Sequence, residues 1–313
     1  MLFADKLQKS IEHRKSFIVA GLDPVLETFP PSILEQAAAE TASNEEMVFH
    51  ALVDFYFLAL EALEPHVAAI KPNLGFFEQY GAGGLRAFSV ILQKARECQL
   101  PVIIDAKVGD IGNTAKSYSA AFIGRSSFAG RTIATFDADA LTVNPFLGFD
   151  TLEPFLSDCR EYGKGIFVLL KTSNPGSADI QDARLPDGCS ISERIAGWLA
   201  KHSAELRGNC GYSGLGAVVG ATHPEEAQHL RSLLPDNIFL IPGMGAQGGT
   251  ADDAVQGFSK RGGGAIVNLS RGLLSAFSSK EIGPIEIRHE LEALAVKFNA
   301  QINTSLKKMT HAD

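Results

Sequence analysis

The chain has 313 residues, and its 45% hydrophobic and 20% charged content is that of a globular protein with a sizeable core, not of a disordered or fibrous one. Its 28 basic and 36 acidic residues leave a net charge of −8. That balance argues against a general nucleic-acid or anionic-membrane binder, which must neutralise many phosphates, yet leaves room for one phosphorylated small molecule in a local cationic site.

The N-terminal stretch Met1 to Lys15 is amphipathic and charged throughout, so it predicts a leading helix, not a signal peptide. No apolar run approaches membrane-spanning length. Cys98, Cys159, Cys189 and Cys210 are far apart with no C-x-x-C, which suggests neither a disulfide framework nor a zinc knuckle and fits a reducing cytoplasm.

Ser16 to Asp23 is a β-rich apolar run stopped by Asp23-Pro24, the first predicted strand. A short Ala-rich helix follows Pro30-Pro31, and Ser43 to Glu46 has the form of a capping box opening a helix to about Glu64. His66 to Pro72 is the second strand and delivers Lys71 at its end. A helix near Leu85 to Cys98 leads to the third strand, Val102 to Ile104, which Gly109 terminates. Side-chain alternation places Asp105 and Lys107 on one face there, with Asp110 in the following turn. The next helix runs from Ile111 to about Gly124, with Thr114 and Tyr118 one turn apart.

The alternation of strand and helix persists to Arg271. Strands are predicted at Ala138 to Asn144, Gly165 to Lys171, Leu215 to Gly220, Asn237 to Pro242 and Gly264 to Asn268. Helices are predicted from about Thr151 to Tyr162, after the Ser190 to Glu193 capping box, from Pro224 and from about Thr250. Eight apolar strands separated by helices, with no linker or shift in composition, predict a single α/β domain over residues 1–313, a (β/α)8 TIM barrel with extra N-terminal helices. A doubly wound open sheet is the alternative, and the count of eight favours closure.

In such a barrel the residues just after each strand gather on one rim. Those polar residues are Asp23, Lys71, Asp105, Lys107, Asp110, Asn144, Ser173, Gln247 and Arg271. An ammonium between two carboxylates, as in D-A-K-V-G-D, is either a surface ion pair or a charge-tuned catalytic group. The G-M-G-A-Q-G-G loop, with Gly245 and Gly248, and the S-R-G turn at Arg271 follow the seventh and eighth strands. Glycine-freed amides and an arginine in that pair of loops suit a phosphate dianion, although the same glycines could simply make tight turns. Asn144 reads as a turn residue before Pro145. The eight histidines show no metal-ligand spacing, and no nucleophile-and-histidine arrangement appears.

These residues fall into a known pattern. G-L-D-P at 21–24, I-K-P-N at 70–73, D-A-K-V-G-D-I-G-N-T at 105–114, T-S-N-P-G at 172–176, P-G-M-G-A-Q-G-G at 242–249 and N-L-S-R-G at 268–272 resemble, in family order, orotidine 5'-monophosphate decarboxylase, in its longer bacterial-type branch. The resemblance implies decarboxylation of orotidine 5'-monophosphate to UMP by a cytoplasmic homodimer with shared active sites and no metal or cofactor. It assigns a charged array to Lys71, Asp105, Lys107 and Asp110, with Lys107 as proton donor to C6 and Asp110 entering the partner's site. Asp23 and Thr114 would contact the ribose, Ser173 and Gln247 the pyrimidine, and Arg271 with loop amides at Gly245 and Gly248 the phosphate. Segments 124–137 and 176–188 are longer than in compact relatives. Two alternatives share parts of the pattern: an Mg2+-dependent sugar-phosphate decarboxylase of the 3-keto-gulonate 6-phosphate type, and a non-catalytic phosphometabolite-binding barrel.

Overall fold

The computed structural model describes residues 1–245, 248–274, 277 and 281–311. Its strands are β1 (Ile18–Leu22), β2 (Ala69–Pro72), β3 (Ile103–Val108), β4 (Ser126–Phe128), β5 (Arg131–Ile133), β6 (Ala140–Val143), β7 (Gly165–Lys171), β8 (Ser213–Val219), β9 (Asn237–Ile241) and β10 (Ala265–Leu269). All but β4 and β5 form one eight-stranded sheet of order β2-β1-β10-β9-β8-β7-β6-β3. The strands at the two ends of that order are joined by parallel bridges, Ile70 with Val102 and Asn73 with Asp105. This is the (β/α)8 barrel, and each of the eight predicted strands overlaps an observed one. The strands read as near-continuous apolar runs because both faces of a parallel sheet are covered. Every residue of β8, β9 and β10 is buried.

The chain divides into two compact units, one of Met1–Lys9, Lys107–Asn268 and Gln301–Asp313, the other of Ser10–Ala106 and Leu269–Ala300. In the second, the N-terminal helices Pro31–Glu40 and Asn44–Leu63 and the helix Gly81–Glu97 pack around aromatic rings. Phe29 lies 4.2 Å from Phe55, Tyr56 lies 5.9 Å from Phe77, and Phe77 lies 5.1 Å from Phe88, so edge and tilted contacts fill this core. At Ser43 only half the predicted capping box forms. Its hydroxyl accepts from the Glu46 amide, while the Glu46 carboxylate pairs outward with Arg86.

In the first unit, Arg231 is buried and donates to the carbonyls of Leu234, Asn237, Gly257 and Gly264, with its guanidinium 3.7 Å from the Phe239 ring centroid. One side chain thus satisfies the carbonyl groups of the loops that lead into β9 and β10. The Ser190 capping box is complete and opens the helix Ile191–His202. Several elements lie outside the eight predicted units, two of them sizeable. The long segment after the helix Gly112–Phe122 holds an antiparallel hairpin of β4 and β5, and the chain ends in the helix Pro284–Thr310. Among the described residues no helix is long and apolar enough to cross a membrane, and all four cysteines are free thiols.

Candidate active site

The candidate residues fall in both units. In the second, Lys71 at the end of β2 is 4% exposed and donates from Nζ to Asp105 Oδ2 at 2.6 Å, and Asp105 on β3 is 7% exposed. The two carboxyl-terminal strand ends are adjacent, as the Asn73–Asp105 bridge requires. Burial works to lower the Lys71 pKa, but the charges of Asp105 and then Asp23, with the hydrogen bond from Asp105, outweigh it, so the net shift is upward and the ammonium is held charged. Asp23, directly after β1, carries a buried Oδ1 with no hydrogen-bond partner among the described residues. A carboxylate oxygen in that condition is a ready acceptor for a ligand hydroxyl. Arg271 opens the short helix Arg271–Leu274, is exposed and makes no ion pair or hydrogen bond among the described residues.

In the first unit, β3 runs past the predicted end at Ile104 and includes Lys107. The strict alternation stops there: Asp105 is buried, whereas Lys107 is exposed and has a φ of 47°, in the left-handed region that a lysine seldom adopts. Its backbone N–H donates to Thr142 Oγ1 at 2.9 Å, and the Asn144 N–H donates to the Val108 carbonyl at 2.8 Å. Gly109 is required by contact, since a Cβ there would lie 2.8 Å from the Asn144 carbonyl oxygen. Asp110 Oδ1 accepts the Ile111 amide at 2.7 Å, and Thr114 is exposed on the helix Gly112–Phe122. Asn144 is the turn residue the sequence indicates, its Oδ1 accepting from the Phe146 amide.

Ser173 sits in the loop after β7. Its carbonyl accepts from Thr222 Oγ1 at 3.2 Å, and the neighbouring Ala221 amide donates to the Pro242 carbonyl at 2.8 Å. Ala221 and Thr222 therefore tie the Ser173 loop to the Gly-rich loop, a linkage that no motif in the sequence marks. Gly245 and Gly248 have φ of 81° and 92° with open space where a Cβ would stand, so they serve the turn conformation and not a close approach. Their amides donate within the loop, to the Gly249 and Gly245 carbonyls. Gln247 lies outside the described residues. The base of the β7 loop is fixed by Lys171, which is buried and donates to both oxygens of Asp182 at 2.6 and 2.7 Å. The sequence reading passed over this pair, although a lysine ending the apolar run G-I-F-V-L-L-K was a signal that its charge would need a partner.

Among the described residues no three His, Cys, Asp or Glu side chains are grouped to hold a metal ion. In the second unit, a buried ammonium–carboxylate pair beside an unpartnered carboxylate oxygen can bind a polar ligand under fixed electrostatic control; in the first, Lys107 presents an exposed amine from an unusual backbone conformation.

Residues 51–282 match the model of the orotidine 5'-phosphate decarboxylase / HUMPS family. An orotidine 5'-phosphate decarboxylase of Caldicellulosiruptor bescii is 36% identical over 88% of this chain and 90% of its own length, and one of Haloarcula marismortui is 40% identical over 88% of each. A solved structure described as a putative orotidine-monophosphate decarboxylase of Toxoplasma gondii superposes with a TM-score of 0.77 at 30% identity, covering 98% of this chain and 97% of that one. A barrel lined with these motifs in this order, matched over most of its length by those relatives, places the chain in the orotidine 5'-phosphate decarboxylase / HUMPS family.

Proposed function

We propose that this chain decarboxylates orotidine 5'-monophosphate to UMP in pyrimidine biosynthesis, as a single barrel domain in the cytoplasm. The observation that carries the reading is the buried Lys71–Asp105 pair. Taking both charges out of water costs several kcal/mol per ion, often more than their attraction returns, so such a pair is poor value for stability and is explained by what it does at the strand ends. The names of the Caldicellulosiruptor and Haloarcula relatives, orotidine 5'-phosphate decarboxylases at 36–40% identity, favour this substrate over a sugar phosphate.

Loss of CO2 from C6 leaves a carbanion that no adjacent carbonyl delocalises well. Stabilisation must come from fixed charge facing C6 as it forms. Lys107, two residues after Asp105 and three before Asp110, is the proton donor. Asp105 and Asp110 flank it in the array, and Lys71 keeps the net charge of the array tolerable. The unpartnered Asp23 oxygen and Thr114 accept from and donate to the ribose hydroxyls, Ser173 and Gln247 read the pyrimidine, and Arg271 takes the phosphate with loop amides. The amides of Gly245 and Gly248 would have to exchange their loop hydrogen bonds to join it. The reaction proposed uses no metal or cofactor.

The chain acts as a homodimer in which Asp110 and Thr114 enter the partner's site. Ile111, beside Asp110, is 63% exposed, and Phe146 and Leu147 after β6 are 76% and 50% exposed, an apolar surface suited to a second copy. Mixing inactive Lys107→Ala and Asp110→Ala protomers should restore about one quarter of wild-type activity, because each mixed dimer regains one intact site. A mixture that stays inactive refutes the shared site.

The primary test follows orotidine 5'-monophosphate by absorbance, with and without EDTA. The expected result is turnover that EDTA leaves unchanged, and loss of turnover with retained UMP binding in Lys107→Ala. Turnover abolished by EDTA and restored by Mg2+, or binding without turnover in the wild type, overturns the proposal.

A further inference from the structure

Among the described residues, five other than glycine have positive φ: Lys15, Gln99, Lys107, Ala129 and Asp137. Lys15 and Gln99 follow helix ends, Ala129 makes the turn of the β4–β5 hairpin, and Asp137 lies between elements. Lys107 alone stands inside a strand, where the pleat demands φ near −120°. Backbone held in so unfavourable a region persists only where its surroundings over-determine it, and such positions concentrate at functional sites.

Three contacts between residues 107–109 and 142–144 do the holding. In a regular parallel ladder the amide of each paired residue donates to a neighbouring backbone carbonyl. At Lys107 a side chain takes part: the amide donates to Thr142 Oγ1 at 2.9 Å, and Thr142 is 1% exposed on β6. One residue on, the backbone ladder resumes with the Asn144 N–H to the Val108 carbonyl. Gly109 then packs directly against the Asn144 carbonyl. The hydroxyl thus holds the amide of the residue where β3 departs from the pleat.

We propose that Thr142 is a positioning residue for the decarboxylation, its hydroxyl fixing the left-handed backbone of Lys107 and through it the aim of the ammonium. This rests on the proposed role of Lys107 as proton donor. A valine at 142 keeps the shape but removes the hydroxyl that accepts from the part-buried Lys107 amide, so the backbone relaxes toward the pleat and the ammonium moves with it. Misplacement of a catalytic group by about 1 Å can cost about 100-fold in rate.

The test is steady-state kinetics on the full-length protein with orotidine 5'-monophosphate. Thr142→Val should lower kcat by about 10- to 100-fold with KM changed less than about threefold, and Thr142→Ser should stay within about threefold of wild type in both. Should the valine variant not fold, Thr142→Ala against Thr142→Ser makes the same comparison, since both are smaller than threonine. A merely structural role would lower the unfolding temperature without separating kcat from KM and without rescue by serine. Wild-type kcat in folded Thr142→Val, or equal loss in the valine and serine variants, overturns the role of Thr142 while leaving Lys107 in place. A Lys107→Ala variant that still turns over, or a wild type that does not, overturns the reading beneath it and this role together.

Discussion

Replacing Asp105 by Asn removes one charge of a buried pair and leaves the other. Lys71 and Asp105 have side chains 5% and 8% exposed and lie 2.6 Å apart, so the ammonium left behind stays out of water. Removing one partner of such a pair costs about 3–5 kcal/mol. Two features favour the lower end: the asparagine oxygen still accepts from Nζ, and the Asp23 charge remains. At about 2 cal/mol/K per residue of unfolding entropy, 313 residues correspond to roughly 0.65 kcal/mol per degree, so a loss of about 3 kcal/mol lowers Tm by about 5 °C.

The pH dependence separates this cause from a packing defect. In the wild type the folded pKa of Lys71 lies above the unfolded value. Its contribution is therefore complete below about 10.4 and fades only as pH rises through the folded value. In Asp105→Asn, burial without that carboxylate pulls the folded value downward. The ammonium then costs stability at neutral pH, and the cost shrinks as pH approaches the unfolded value. Scanning calorimetry at pH 7 and pH 9.5 should show a Tm deficit that narrows at the higher pH. An unchanged Tm at pH 7, or a deficit that is constant or widens with pH, refutes the assignment of Lys71 as a buried ammonium stabilised by Asp105.

Asp182→Ala strands the Lys171 ammonium, whose side chain is 2% exposed against 45% for its partner; that half-exposure brings the expected cost down to roughly 2 kcal/mol, read as a lower denaturation midpoint in urea with an unchanged slope. Glu193→Gln should flatten the stability curve in acid: the Ser190 amide and then His229 hold this carboxyl down at about 2, so its contribution is present above its unfolded value near 4.3 and is lost as pH falls through about 2, which acid unfolding followed by circular dichroism will show. Arg271→Ala should lower kcat/KM by at least about 100-fold, the scale of a lost charge-assisted contact of roughly 3 kcal/mol, and leave Tm within about 1 °C, because the guanidinium makes no ion pair or hydrogen bond among the described residues.

The barrel was legible because its signal is local. Runs such as L-G-A-V-V-G are apolar throughout, their spacing leaves room for one helix each, and the boundaries observed differ from those expected by a few residues. The hairpin of β4 and β5 was not legible. Ser126–Phe128 and Arg131–Ile133 are three residues each and largely exposed, so they carry neither a buried run nor a clean alternation. The capping signatures show the same limit from another side. S-I-S-E at 190–193 closed as a reciprocal box, while S-N-E-E at 43–46 lost its glutamate to Arg86, a partner 40 residues away that no local rule can see.

The same division between local and distant information runs through the end of β3. Period-two reasoning put Asp105 and Lys107 on one face, which treats the strand as uniform up to Gly109. The left-handed φ of Lys107 breaks that alternation, at a residue whose amide donates to the Thr142 hydroxyl on another strand. That separates the fates of two charges only two residues apart: Asp105 goes into the core to meet Lys71, and Lys107 stays at the surface. Were both side chains simply alternating inward, a second ammonium would be buried, at a desolvation cost that a further counter-charge would have to offset. The break in the strand lets Lys71 be the buried counter-charge of Asp105 and leaves Lys107 exposed, within reach of a ligand as the proposed proton donor must be.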